Sequence, residues 1–160
     1  MALALMPGSF DPVTNGHLDI IRRASGLFER VCVVVARNSG KAPLFTVEER
    51  LEMLTEVCAP YANVTVDAFE GLLAHYAARQ GAKAIVKGLR SVSDFEYELQ
   101  MAHMNLRLNS EVETVFLPSG AETLALSSSI VKEIARLGGA VEGLVPDRVQ
   151  QRLREKFAPT

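Results

Sequence analysis

The sequence predicts an α/β fold: a single domain with a five-stranded parallel sheet and helices on both faces. Three observations predict it. Apolar runs of strand length alternate along the chain with amphipathic runs of helix length, the pattern of a parallel sheet covered on both sides. One run, Arg30–Ala36 (Arg-Val-Cys-Val-Val-Val-Ala), is continuous and β-branched, as a strand buried on both faces requires. The chain has 160 residues and 17.4 kDa, enough to bury a core without disulfides or metals, and two halves would each be too small to be stable.

Each element follows in order. Ala2–Met6 is an apolar strand, and Gly16–Phe28 is the helix after it. Arg30–Ala36 is the second strand. Thr46-Val47-Glu48-Glu49 is a capping box that opens a helix toward Cys58, and Pro60 stops it. Asn63–Phe69 is the third strand. Gly71–Gln80 is helical and Gly81 ends it. Lys83–Lys87 is a short fourth strand, followed by a long helix from about Ser93 to Leu108. Glu113–Leu117 is the fifth strand. Ser127–Leu137 is a helix closed by Gly138-Gly139. Val141–Leu144 leads to Pro146, which suits the first turn of a last helix ending near Phe157. Crossovers in such a sheet are right-handed, and ligands bind beyond the carboxyl ends of the strands. The chain shows no internal repeat, low-complexity tract or linker.

Composition narrows the function. The net charge of -2 and pI near 5.9 argue against a nucleic-acid binder or an anionic-membrane binder. Any anion site must therefore be local. No apolar run is long enough to span a bilayer, and no secretory leader is visible. Cys32 and Cys58 are isolated and read as reduced, buried thiols of a cytoplasmic protein.

The richest chemistry lies between the first strand and the first helix, in Pro7-Gly8-Ser9-Phe10-Asp11-Pro12-Val13-Thr14-Asn15-Gly16-His17. A glycine-rich loop lets backbone N–H groups approach a phosphate, and the helix start adds partial positive charge. His17 at that start can donate to a phosphoryl oxygen. Asp11 precedes a proline in a turn and reads as a backbone-capping group rather than a Mg²⁺ ligand. The common phosphate and dinucleotide loops, G-x-x-x-x-G-K-[ST] and G-x-G-x-x-G, are missing, as is a G-x-S-x-G elbow. His17, His75 and His103 do not have metal-ligand spacing, and no metal ligand set is assigned.

A second group is basic. Lys41 follows the second strand, and Lys87-Gly88-Leu89-Arg90 follows the fourth. All should open on the sheet edge that carries His17, where a lysine and an arginine make a phosphate clamp. Ser127-Ser128-Ser129 opens a helix and offers both an N-cap and an anion site. In Asp94-Phe95-Glu96-Tyr97-Glu98, Asp94 and Glu96 complement the helix dipole while Glu98 faces the site. Arg148, Arg152, Arg154 and Lys156 read as a solvated helix face.

Gly8-Ser9-Phe10-Asp11-Pro12 with Thr14-Asn15-Gly16-His17 resembles the histidine motif of the nucleotidylyltransferase superfamily, a Rossmann-like fold. The serine run with Val131-Lys132-Glu133 resembles its second signature. Lys41, Lys87-Gly88-Leu89-Arg90, Asp94-Phe95-Glu96-Tyr97-Glu98 and Met101-Ala102-His103-Met104-Asn105 make the chain similar to the bacterial phosphopantetheine adenylyltransferases, in collinear order over nearly its whole length.

That resemblance implies transfer of AMP from ATP to 4′-phosphopantetheine, giving dephospho-coenzyme A and pyrophosphate. It also implies Mg²⁺ carried with ATP, a homohexamer, a cytoplasmic protein and feedback inhibition by coenzyme A. Carried over by position, His17, Lys41 and Arg90 are catalytic. Ser9 and Phe10 meet the substrates near the α-phosphate. Lys41, Leu73 and Lys87, with Ser9, hold phosphopantetheine. Gly88, Leu89, Arg90, Glu98 and the run Thr123, Leu124, Ala125, Leu126, Ser127, Ser128 and Ser129 bind ATP. Two places depart from many relatives: Thr123-Leu124-Ala125-Leu126, just before the serines, has no aromatic, and Lys87 stands where some carry arginine. The competing readings are nucleotidyl transfer to another phosphate, such as nicotinamide mononucleotide, a nucleotide sensor without catalysis, and a structural oligomer-forming protein.

Overall fold

Successive residues of the central strands point to opposite faces and sort the core onto the two sides of one parallel sheet. The computed structural model describes residues 2–37 and 42–159. In chain order its elements are β1 (Leu3–Gly8), α1 (Asn15–Leu27), β2 (Arg30–Ala36), α2 (Val47–Cys58), β3 (Val64–Phe69) and α3 (Leu73–Gln80). Then come β4 (Ala84–Leu89), α4 (Val92–Leu108), β5 (Glu113–Pro118), a 3₁₀ turn (Ala121–Thr123), α5 (Ser128–Arg136) and α6 (Asp147–Phe157). The sheet is five-stranded with order β3-β2-β1-β4-β5, every pair parallel.

On one face Ala4, Met6, Val31, Val33, Val35 and Val86 meet Ile20 and Ile21 of α1, Met53 and Leu54 of α2, Val131 of α5 and Leu153 of α6. On the other, Leu3, Leu5, Cys32, Val34 and Ile85 meet Tyr76 and Ala77 of α3 and Val112. The predicted α/β fold with helices on both faces is the observed one. The capping box predicted at Thr46 is present: the Thr46 hydroxyl accepts from the Glu49 N–H at 3.1 Å, and the Thr46 N–H donates to Glu49 at 3.2 Å. Gly81 ends α3 in the left-handed region, at φ 67°.

The sheet makes the site by failing to pair at its centre. β1 stays paired with β2 through Gly8↔Val35, and β4 with β5 through Leu89↔Pro118. β1 and β4 pair only at Ala4↔Ala84 and Leu5↔Ile85. Beyond those residues the central strands part. The strand order reverses there, where ligands of open α/β sheets bind.

Three expectations need correction. β4 runs on to Leu89, so Gly88 and Leu89 lie within the strand's paired end rather than in a loop after it; pairing with β5 carries it there. Pro146 is the cap before α6, not a residue of its first turn. The basic face of α6 is not simply solvated. Arg148 pairs with Glu56, Arg152 with Glu49 and Glu52, and Lys156 with Glu49. These pairs strap α6 to α2. Partial desolvation pushes the Glu49 carboxyl up, but Lys156, the Thr46 N–H and Arg152 outweigh it and hold it at about 2.

Candidate active site

Two cavities meet where β1 and β4 separate. The first, of about 370 Å³, is lined by Gly8 at the end of β1, Ser9 after it, His17 of α1, Lys87, Gly88 and Arg90 at β4, Asp94 and Glu98 of α4, Thr123, Leu126 and Ser127–Ser129. The second, of about 270 Å³, takes Leu73, Tyr97, Met101, Ala102 and Asn105 as its walls. Pro7, Gly8, Ser9, Lys87 and Glu98 belong to both. One chamber is thus rich in hydroxyls and cations, its neighbour largely apolar, and a shared wall joins them.

The β1–α1 loop is built around a residue in the left-handed region. Phe10 has φ 48° and is 1% exposed. Its ring folds back beneath Gly8, where an added Cβ would lie 2.9 Å from the ring. Glycine is therefore required there. The same ring meets the His17 imidazole edge-on at 4.9 Å.

His17 closes a capping box of its own. The Thr14 N–H donates to His17 Nδ1 at 2.9 Å, and the His17 N–H donates to the Thr14 hydroxyl at 3.3 Å. A ring nitrogen that accepts a backbone N–H carries no proton. The neutral imidazole therefore holds its proton on Nε2, its remaining polar atom. Burial, and then the charges of Arg90 and Lys87, bring its pKa down from 6.5 to about 4. At neutral pH the cavity thus contains an uncharged Nε2–H donor.

The cations opposite are held differently. Lys87 pairs with Glu98 at 3.4 Å. Arg90 pairs with Asp94 at 3.3 Å and donates to the Leu126 carbonyl at 3.0 Å. Asp94 thus serves both the start of α4 and the site. Ser127 caps α5 by accepting from the Ile130 N–H at 3.2 Å, and Ser128 donates to the Pro12 carbonyl at 2.7 Å. The serine run is thereby docked on the first loop. Asp11 is the backbone anchor expected of it: it accepts from the Leu44 and Phe45 N–H groups, both at 2.9 Å, and from Lys132 at 3.0 Å.

Of the residues singled out from sequence, Ser9, His17, Lys87, Gly88, Arg90, Glu98, Thr123, Leu126, Ser127, Ser128 and Ser129 converge on the first cavity, and Leu73 lies on the second. The Phe10 side chain is in the core beneath. Leu89, Leu124 and Ala125 lie outside the lining of both cavities. Lys41 lies outside the described residues. Sequence reasoning missed the tautomer lock from Thr14. The hydroxyl-x-x-histidine spacing at a helix start could have revealed it.

A family model described as cytidylyltransferase-like matches residues 5–134. The chain is 55% identical over 157 residues to the phosphopantetheine adenylyltransferase of Caldanaerobacter subterraneus subsp. tengcongensis, covering 98% of each chain. It is 54% identical to the proteins of the same name from Carboxydothermus hydrogenoformans and Desulforudis audaxviator, covering 98% of this chain and 97% and 96% of theirs.

Proposed function

We propose a reaction from one premise: the chain belongs to the cytidylyltransferase-like family and, within it, to the phosphopantetheine adenylyltransferases of coenzyme A biosynthesis. An oxygen of the 4′-phosphopantetheine phosphate attacks the α-phosphorus of ATP in line. The new P–O bond forms as the bond from the α-phosphorus to the bridging α–β oxygen breaks. That electron pair leaves with pyrophosphate, and dephospho-coenzyme A remains. An ionised phosphate needs no general base, so catalysis is positioning plus stabilisation of charge.

The observation that carries this reading is one shared cavity holding the His17 donor, Lys87 and Arg90, joined through Ser9 and Lys87 to an apolar chamber. His17 Nε2–H donates to the α-phosphoryl oxygen as charge gathers there. Being neutral, it does not hold the ground-state triphosphate as a cation would. Lys87 and Arg90, with Lys41, offset repulsion between the two anions. The nucleotide takes the polar chamber, and the pantetheine arm takes the one lined by Leu73 and Met101.

The carboxylates near the cavity are each engaged by a cation: Asp94 by Arg90, Glu98 by Lys87 and Asp11 by Lys132. Among the described residues no group of acidic, histidine or cysteine side chains could hold a metal. This donor set fits Mg²⁺ that arrives bound to the nucleotide phosphates, where it neutralises their charge.

Feedback inhibition by coenzyme A fits the same pair of chambers, since coenzyme A contains the product's two halves. A homohexamer is supported by α4, which has no buried residue and exposes Phe95, Tyr97 and Met104; the number six comes from the resemblance. A cytoplasmic location accords with two free, buried cysteines. The net charge is -2, and no described helix is long and apolar enough to cross a membrane.

The test is pyrophosphate release from Mg²⁺-ATP with each acceptor. Release with phosphopantetheine is expected. Release with nicotinamide mononucleotide alone would transfer the reading to that substrate. Binding of ATP without release for any acceptor would make the protein a sensor.

A further inference from the structure

Arg50 occupies a core position for which an apolar residue would do. It lies on the buried stripe of α2 with Met53, Leu54 and Cys58, and is 1% exposed. Arginine is almost never buried this fully without an acidic partner. Among the described residues Arg50 has none. Its Nη1 donates to the Ser9 carbonyl at 2.8 Å, and its Nε donates to the Thr46 carbonyl at 3.3 Å. A buried cation engaged by carbonyls alone is costly to retain, and a hydrophobic side chain here would extend the stripe.

Ser9 is on the wall between the two cavities, and Phe10 immediately after it has the left-handed backbone of the loop. Such a conformation in a bulky residue persists only when its surroundings over-determine it. Two clamps do so. On one side Arg50 holds the Ser9 carbonyl; on the other Asp11 is held by the Leu44 and Phe45 N–H groups and by Lys132. Both clamps tie the loop to the start of α2. The Phe10 ring then fixes the edge of His17.

We infer that Arg50 is a positioning residue for nucleotidyl transfer. It commits the Ser9 carbonyl to the inside of the protein, away from the bound anions, and so fixes the Phe10 turn against which His17 is set. This rests on the reaction proposed above. Without the guanidinium, the carbonyl loses its buried donor and the loop its over-determination. A displacement of about 1 Å at the donor is enough to cost on the order of 10²-fold in rate.

The test compares Arg50→Lys and Arg50→Met with Leu54→Ala, a fully buried α2 position outside both cavities. All are assayed at a temperature where each is folded. Arg50→Met should lower kcat on the order of tenfold or more, with KM for ATP changed by less than about threefold, as expected when only transition-state stabilisation is lost. Arg50→Lys keeps the charge but not the fork, and should recover part of the rate. Leu54→Ala should lose stability and keep kcat. Wild-type kcat in the Met variant, or a loss no larger than that of Leu54→Ala, would overturn the inference. Should the Met variant not fold, the Lys variant decides: a several-fold fall in kcat supports the role, and an unchanged kcat contradicts it. The ¹⁵N shifts of the His17 ring, read without substrate, separate this inference from the reaction itself. They should move in the Arg50 variants and not in Leu54→Ala, whether or not phosphopantetheine is the acceptor; unmoved shifts contradict the role.

Discussion

The two walls of the polar cavity are held in opposite ways. On the β1–α1 wall, Asp11 and Thr14 are buried, and His17 has its Nδ1 bonded to the Thr14 N–H and its ring set against Phe10. On the β4–α4 wall, the Lys87 and Arg90 side chains are 26% and 40% exposed and hold their carboxylate partners at 3.4 and 3.3 Å. A group that stabilises charge in a transition state gains by being fixed before the reaction begins. Cations that accompany phosphates in and out must be able to exchange one anionic partner for another. Glu98 and Asp94 serve as those partners when no phosphate is bound.

This contrast breaks first at His17. His17→Ala should lower kcat on the order of 10²-fold or more, with modest change in ATP binding. A variant with unchanged kcat and a raised KM would move His17 to the same role as the cations. Lys87→Ala and Arg90→Ala should mainly raise KM, on the order of tenfold, and steady-state kinetics with each substrate varied would show it. A pure kcat effect would mean that wall is preorganised as well. Lys41→Ala should lose phosphopantetheine turnover strongly; a full-rate variant removes Lys41 from the site.

Stability sharpens the comparison further. The His17 pKa is depressed in the folded protein, so the unfolded chain binds a proton first as pH falls. Stability should therefore decrease between pH 6.5 and about 4. Denaturant midpoints in His17→Gln should lack that slope; an identical slope would place its origin elsewhere. Far from the cavity, Glu49→Gln should cost about 1 kcal/mol at neutral pH by loosening the α2–α6 strap. Its carboxyl is likewise depressed, so this contribution is lost as pH falls from about 4.5 toward 2.

Much of this was legible in sequence, for identifiable reasons. Arg30–Ala36 reads as a buried strand because β-branched continuity leaves little else, and Thr46 reads as a cap because Glu49 stands at the matching spacing. The His17 loop and the serine run were found because glycine, proline and hydroxyl residues cluster where a helix must begin. What was hidden depends on partners distant in the chain. The end of β4 is set by its register with β5. The charges of α6 find theirs on α2, with Arg148 and Glu56 92 positions apart. Arg50 carries no local signal, because the Ser9 carbonyl it holds belongs to a residue 41 positions earlier. The protonation state of His17 depends first on the burial of its ring and then on the charges of Arg90 and Lys87; that burial is set by the fold.

The central claim is that an uncharged imidazole donates its Nε2 proton in a hydrogen bond to the reacting phosphoryl group. Titrating the ¹⁵N resonances of the His17 ring tests it most directly. A neutral ring with its proton on Nε2 down to about pH 5, titrating near 4, is the expected result. A ring that ionises at its ordinary value, or that carries its proton on Nδ1, would contradict it.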